Sequence, residues 1–374
     1  MKRNMISLAI GAVCVATPIV EAMADSVKLY GRLQGEYTVV DTDNSSSIQG
    51  VGDNVNGGQW GLLGFKAVEK LSAKTDAIAV LEFVINPDDN IGASKNRQGF
   101  VGLKNKDFGS LAIGRFHSPY KTTGGVKIDP FNASALQARG AGGMAGAVGL
   151  MGTFGYISNT IYYKSPQLGN MNLTFAIIPE ERNSSSDTGD ATNDYATAIN
   201  YKAGPLKLWM ASAINNRAVS SGSTVNESAI KVGGQYTMGG HKVALQIAKL
   251  SNAVVSPTNG TPFAEGSGNG STTGSSGGTN YSAILDTSGN PAKGKIWFLG
   301  YQYKMGNNTL VAQMGKTDTS SATGNDTDYF AVGLLHNFSK RTRLHFGYAE
   351  SDTNKLTTVS NSREVFSVGL RRTF

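Results

Sequence analysis

Apolar and polar residues alternate in short stretches from Ser26 to Phe374, and these stretches are joined alternately by a tight turn and a long polar loop. Around residue 174, Met171, Leu173, Phe175 and Ile177 share one parity while Asn172, Thr174 and Ala176 share the other. The stretch beginning at His241 repeats this, with Val243, Leu245 and Ile247 set against Ala244, Gln246 and Ala248. A period of two marks a strand with unlike faces. Sixteen such segments are predicted, at about 26–39, 59–69, 73–86, 94–104, 109–116, 158–165, 170–178, 192–203, 205–214, 227–238, 241–250, 293–305, 307–316, 326–338, 341–351 and 361–374. The joints at 69–72, 105–108, 166–169, 239–240, 306 and 339–340 are short and the intervening ones long. An even number of antiparallel strands with short turns at one end and long loops at the other predicts an all-β, 16-stranded transmembrane barrel. A soluble β-sandwich shows the same alternation. Its core, however, would lack a bulky partner layer, because the second face of many segments is Ala, Gly, Thr or Asn.

The first 24 residues read as a cleaved secretory signal. Lys2 and Arg3 precede an apolar stretch from Met5 to Val20, and Ala22 and Ala24 stand before a cut ahead of Asp25. A membrane helix is the alternative, but the stretch is short and Pro18 interrupts it. A lipid anchor at Cys14 is disfavoured by the bulk of Val13 before it. Cys14 is the chain's only cysteine, so residues 25–374, the expected barrel domain, can form neither disulfides nor thiolate metal sites. No later segment supplies the roughly 20 apolar residues of a spanning helix, which leaves membrane insertion to strands. The net charge of +7, about +6 without Lys2, Arg3 and Glu21, is scattered along the strands, so nucleic acid is not an expected partner. Tyr30, Tyr37, Tyr201, Tyr236, Tyr303, Phe338 and Phe374 lie near segment ends, as interfacial girdle residues would.

The closing stretch, residues 364–374, puts Phe366, Val368, Leu370 and Phe374 on one face and resembles the terminal strand by which outer-membrane proteins are recognised for assembly. Further motifs follow in order: Leu29-Tyr30-Gly31-Arg32, Leu63-Gly64-Phe65-Lys66, Asn96-Arg97-Gln98-Gly99-Phe100-Val101-Gly102-Leu103, Phe108-Gly109-Ser110-Leu111-Ala112-Ile113-Gly114-Arg115, Tyr163-Lys164-Ser165-Pro166 and Phe338-Ser339-Lys340-Arg341-Thr342. Together they resemble the general-diffusion porins of Gram-negative bacteria, above all the trimeric β-proteobacterial and neisserial branch. The resemblance implies a homotrimeric outer-membrane barrel through which ions and small hydrophilic solutes diffuse, with no reaction and no cofactor. It also implies that a third long loop, here residues 117–157, folds inward and narrows the pore between basic wall residues and acidic loop residues.

Parity places Arg32 on the face of Lys28 and Gln34, opposite Leu29 and Leu33, and therefore toward the lumen. Arg32 and Arg115 match basic wall positions of such porins, although Arg115 shares parity with Leu111 and Ile113. Arg97, opposite Phe100 in parity, Lys66 and Glu82 complete the expected wall charges. The loop carries Lys121, Lys127 and Arg139 against a single acid, Asp129, for a balance of +2. Two departures from the family weaken the implied field. Gly61-Leu62 stands where Ser-Arg is usual, and Asp129-Pro130-Phe131-Asn132 replaces an acidic Pro-Glu-Phe-like turn. Charge rings set ionic preference, so a mild preference for anions is expected, with mutual pairing of these residues as the alternative.

Acids at 41, 43, 53, 88, 89, 180, 181, 187 and 190 sit in the long loops, either as solvated charge or as holders of divalent cations bridging to lipopolysaccharide. Residues 251–292 are Gly/Ser/Thr-rich surface loop. Gly274-Ser275-Ser276-Gly277-Gly278 fits a hydrolase elbow only by chance, since no strand and helix flank it. A barrel enzyme would need a nucleophile and base on neighbouring strands, and His336 with His345 is the one histidine pair from adjacent segments. The four histidines show no metal-ligand spacing. A substrate-selective channel and an adhesive barrel are the other rivals.

Overall fold

The computed structural model describes residues 26–43, 45–51, 61–85, 96–138, 156–179, 193–218, 224–251, 293–319, 325–355 and 360–374. The expected signal, Arg139 and the Gly/Ser/Thr-rich loop from 252 to 292 lie outside these residues. The chain runs through β1 (Ser26–Thr42), β2 (Ser45–Val51), β3 (Gly61–Lys70), β4 (Thr75–Ile85), β5 (Asn96–Asn105) and β6 (Gly109–His117). A one-turn helix α1 (Pro119–Thr122) and a 3-10 turn (Gly125–Lys127) follow. Then come β7 (Tyr156–Lys164), β8 (Met171–Pro179), β9 (Asn193–Ala203), β10 (Leu206–Ala218), β11 (Thr224–Met238) and β12 (His241–Ser251). The last five strands are β13 (Lys293–Met305), β14 (Asn308–Thr319), β15 (Asn325–Asn337), β16 (Thr342–Lys355) and β17 (Ser360–Thr373).

Sixteen of these strands close an antiparallel barrel. Each from β3 to β17 pairs with its sequence neighbour, and β1 joins the ends, pairing β3 over Ser26–Arg32 and β17 over Arg32–Thr42. The seventeenth, β2, is a short arm of the first long loop that pairs only with the upper part of β1. Closure leaves no sheet edge, so the backbone of the spanning strands is satisfied within the wall.

The two faces differ as the alternation requires. On β12, Val243, Leu245 and Ile247 are 44–51% exposed and form part of the outward apolar band, while Ala244, Gln246 and Ala248 are at most 2% exposed. Inward residues are buried because chain from the third long loop lies over them. Phe131 and Leu136 of that segment are fully covered, as are Ile296, Phe298 and Ala331 of the wall. Gly333 and Gly347 are direct cross-strand partners. A Cβ on Gly333 would come within 2.9 Å of the Phe131 ring, and one on Gly347 within 2.8 Å of Leu136. This glycine pair is the notch that admits the two apolar side chains, each worth about 1.5–3 kcal/mol on burial.

The expected girdle needs one correction. Tyr30 shares the face of Arg32 and donates its hydroxyl to Glu82 at 3.1 Å, so it belongs to the lumen. Tyr37, Tyr236, Phe338 and Phe374 are exposed on the outside.

Candidate functional site

The described part of the third long loop begins directly after β6 and is shaped by its own polar groups. The Ser118 hydroxyl accepts from the Lys121 amide at 3.0 Å and starts α1, with Pro119 at its first position. Asp129 accepts from the amides of Phe131 and Ala138, both at 2.9 Å, and is buried. The loop's one acid therefore clamps the loop's own backbone rather than standing out into the lumen.

Wall side chains then hold the segment in place. Glu36 of β1 accepts from the Ala135 amide at 2.7 Å and also from the Ser367 hydroxyl, and it lies 3.2 Å from His345 Nε2. Gln34 donates to the Ala133 carbonyl, and Arg371 of β17 donates to the carbonyls of Asn132 at 2.7 Å and Ala133 at 3.2 Å. Tyr329 of β15 donates to the Leu136 carbonyl at 2.6 Å. Across the lumen, Gln246 of β12 accepts from the Gly125 amide at 2.9 Å and from Trp209 Nε1 at 3.1 Å. Lys231 of β11 lies 4.2 Å from the centre of the Tyr120 ring, and burial pushes the Tyr120 phenol up.

Near the start of the segment, Tyr156 at the head of β7 gathers cations. The guanidinium carbons of Arg97 and Arg115 lie 5.4 and 5.3 Å from its ring centre, and Lys121 Nζ lies 3.8 Å away. Arg97 is also buried in an ion pair, its Nε 2.7 Å from Glu82. Arg115 keeps the outward parity of Leu111 and Ile113, pairing with Gly99. The register shift between Gly114 and Phe116 nonetheless lets it reach Ser158 Oγ at 2.5 Å and the Asn96 carbonyl at 3.2 Å. Arg32 and Leu62 are direct partners facing inward, which puts Leu62 on the lumenal face at the departure from the family pattern. Lys66 pairs with Lys28 near the short-turn mouth, away from the Tyr156 group. Lys127 sits lower in the segment, facing the lysines of β7 and β10.

Parity reading missed several inward bases: Lys164, Lys202, Lys207, Lys231, Lys242, Arg343 and Arg371. Each lies on the polar parity of its strand, so the alternation that placed Arg32 would have found them. Tyr156 gave no such signal, because β7 begins two residues earlier than the alternation shows. The rival enzyme loses its pair. Leu335, not His336, shares a face with His345, while His336 faces the other way toward Asn308 and Phe338.

The sequence matches the family described as Gram-negative porin over residues 9–356. Among solved structures, an anion-selective porin from Comamonas acidovorans is similar at a TM-score of 0.72 and 20% identity, covering 94% of this chain and 100% of that one. The trimer form of the Vibrio cholerae outer-membrane protein OmpT is similar at 0.61 and 14%, covering 94% and 100%. Salmonella typhi OmpF, in a complex with daunomycin, is similar at 0.65 and 14%, also covering 94% and 100%. A comparison with curated proteins finds no match. A family match over nearly the whole length, together with a closed barrel of sixteen antiparallel strands, shows that this chain belongs to the Gram-negative porins, channel proteins that cross the outer membrane on their strands.

Proposed function

We propose that this porin passes ions and small hydrophilic solutes by passive diffusion with a mild preference for anions, and that residues 117–157 form its narrowest part. The observation that carries the preference is the fate of the acids. Glu36 accepts from Ala135 and Ser367, Glu82 from Arg97 and Tyr30, and Asp129 from Phe131 and Ala138. All three are drawn back against wall or segment, and around the same passage they are outnumbered by six bases, Arg32, Arg97, Arg115, Lys121, Arg343 and Arg371. In a low-dielectric wall that imbalance sets the sign of the local field. Leu62 beside Arg32 keeps it weak.

The working form is a homotrimer, its outward apolar band shared between subunits and lipid, and the mature chain starts at Asp25. Support comes from family membership, from a similar structure that is a trimer form, and from the signal-like first 24 residues. Planar-bilayer recording in a potassium chloride gradient tests the channel. The wild type should show a reversal potential on the anion side. The double variant Arg32→Gln/Arg343→Gln should move it toward cations, and shortening the segment should raise single-channel conductance severalfold. A conductance indifferent to the segment, or a reversal potential indifferent to both arginines, would overturn the constriction.

A further inference from the structure

Beneath the inserted segment, toward the short-turn end, the lumen holds a cavity of about 320 Å³ between the loop and β7 to β11. Its charged lining is Lys127 from the loop, Lys164 of β7, Lys202 of β9 and Lys207 of β10. No acidic side chain is among its lining residues. Lys202 and Lys207 are direct cross-strand partners on the inward face, an arrangement of like charges that normally destabilises a sheet. Lys127 is pushed down, first by burial and then by Lys164 and Lys207. Four ammonium groups thus converge where the strands alone gain nothing from their convergence. Between them the lining offers the hydroxyls of Thr122, Thr123 and Thr174 and the amides of Asn172, Asn200 and Gln235. Those groups complement a compact, multiply charged oxygen anion, since ammonium groups bind such oxygens as point charges and hydroxyls and amides complete their hydrogen bonding.

We propose that this lysine-lined cavity is a binding site for small multivalent oxyanions of the phosphate type, separate from the arginines around Tyr156 and placed to retain such an anion at the short-turn side of the narrowest part. The proposal rests on the reading of the protein as a conducting, anion-preferring pore.

The test uses the full mature protein in planar bilayers in about 0.1 M potassium chloride, low enough that screening leaves the lysines effective. Sodium pyrophosphate, and in parallel inorganic phosphate, is added from the short-turn side. Pyrophosphate should reduce the chloride current saturably, phosphate more weakly and sodium acetate not at all. The variant Lys164→Gln/Lys207→Gln should raise the half-blocking pyrophosphate concentration at least tenfold, and Lys164→Arg/Lys207→Arg should restore the block. Titration of tryptophan fluorescence in detergent, in a Trp60→Phe/Trp297→Phe background that leaves Trp209 as the emitter, provides a second readout, since Trp209 lines the cavity. Pyrophosphate should change the wild-type signal and leave that of the glutamine variant unmoved. Equal block in wild type and glutamine variant, or no block with no fluorescence change, would overturn the site. The reversal potential in chloride alone is read in the same membranes. A cation-side value there would sink the anion preference, whereas an anion-side value with no pyrophosphate effect would sink only this site.

Discussion

Single positions decide whether the inserted segment can lie where it does. Gly124 has φ +59°, and a Cβ there would stand 2.2 Å from the Gln246 amide oxygen and 2.3 Å from Trp209 Nε1. The Gln246 oxygen accepts from the Gly125 amide, and Trp209 Nε1 donates to that same oxygen. Gly124→Ala would put a side chain on a backbone at φ +59°, ψ −134°, a combination essentially confined to glycine and worth roughly 1–3 kcal/mol of strain, and force Gln246 away from its donors. The expected result is a folded barrel with noisier, larger single-channel currents, checked by recording beside a circular dichroism spectrum that keeps its strand signal. Unchanged current noise would mean that Gln246 does not anchor the segment. Sequence reading at this scale rests on parity, which sets Arg32 on the face of Lys28 and Gln34 and, applied to every strand, would have set Lys231 and Arg371 inward as well. It failed for Asp129, because an acid that clamps its own backbone looks no different in sequence from one that faces a pore.

At the scale of elements, the middles of the strands were legible and their upper ends were not. β10 runs to Ala218, β14 to Thr319 and β16 to Lys355, each several residues beyond the alternating stretch. In sequence those extensions, such as Asn215-Asn216-Arg217, are polar at both parities, so the period of two that marks a lipid-facing strand gives no signal there. The arm β2 was missed for the same reason, its Ser45-Ser46-Ser47 start carrying no period. The place of the inserted segment directly after β6 was legible, but not its attachments, which are made by wall residues up to 337 positions distant from one another in the chain. Glu36 is the centre of these attachments. Glu36→Ala would leave the Ala135 amide and the Ser367 hydroxyl without their acceptor at about 1–3 kcal/mol each, loosening the segment, and would shift the reversal potential toward anions. Glu36→Gln removes the charge but keeps an oxygen, so it should give the same shift with less current noise. Variants that shifted neither would remove Glu36 from both roles.

For the whole molecule, the outward band that includes Val243, Leu245, Ile247, Phe346 and Leu370 must be covered by lipid or by other copies. Light scattering in mild detergent should report three chains per particle. A monomer would leave the barrel intact and withdraw the trimer. The general architecture was open to sequence reading because a closed barrel repeats one simple rule sixteen times, and errors at any one strand do not propagate. The seat of the inserted segment is another matter. Gln34 and Glu36 come from β1, Ser367 and Arg371 from β17, and the segment rests across the line where those two strands meet. Half of that cradle is contributed by β17, the strand that closes the ring onto β1, so a chain in which these two strands have not met lacks the seat on which residues 132–135 rest. The event that seals the cylinder therefore also completes the seat of the inserted segment, and the wall and what lies inside it are finished together.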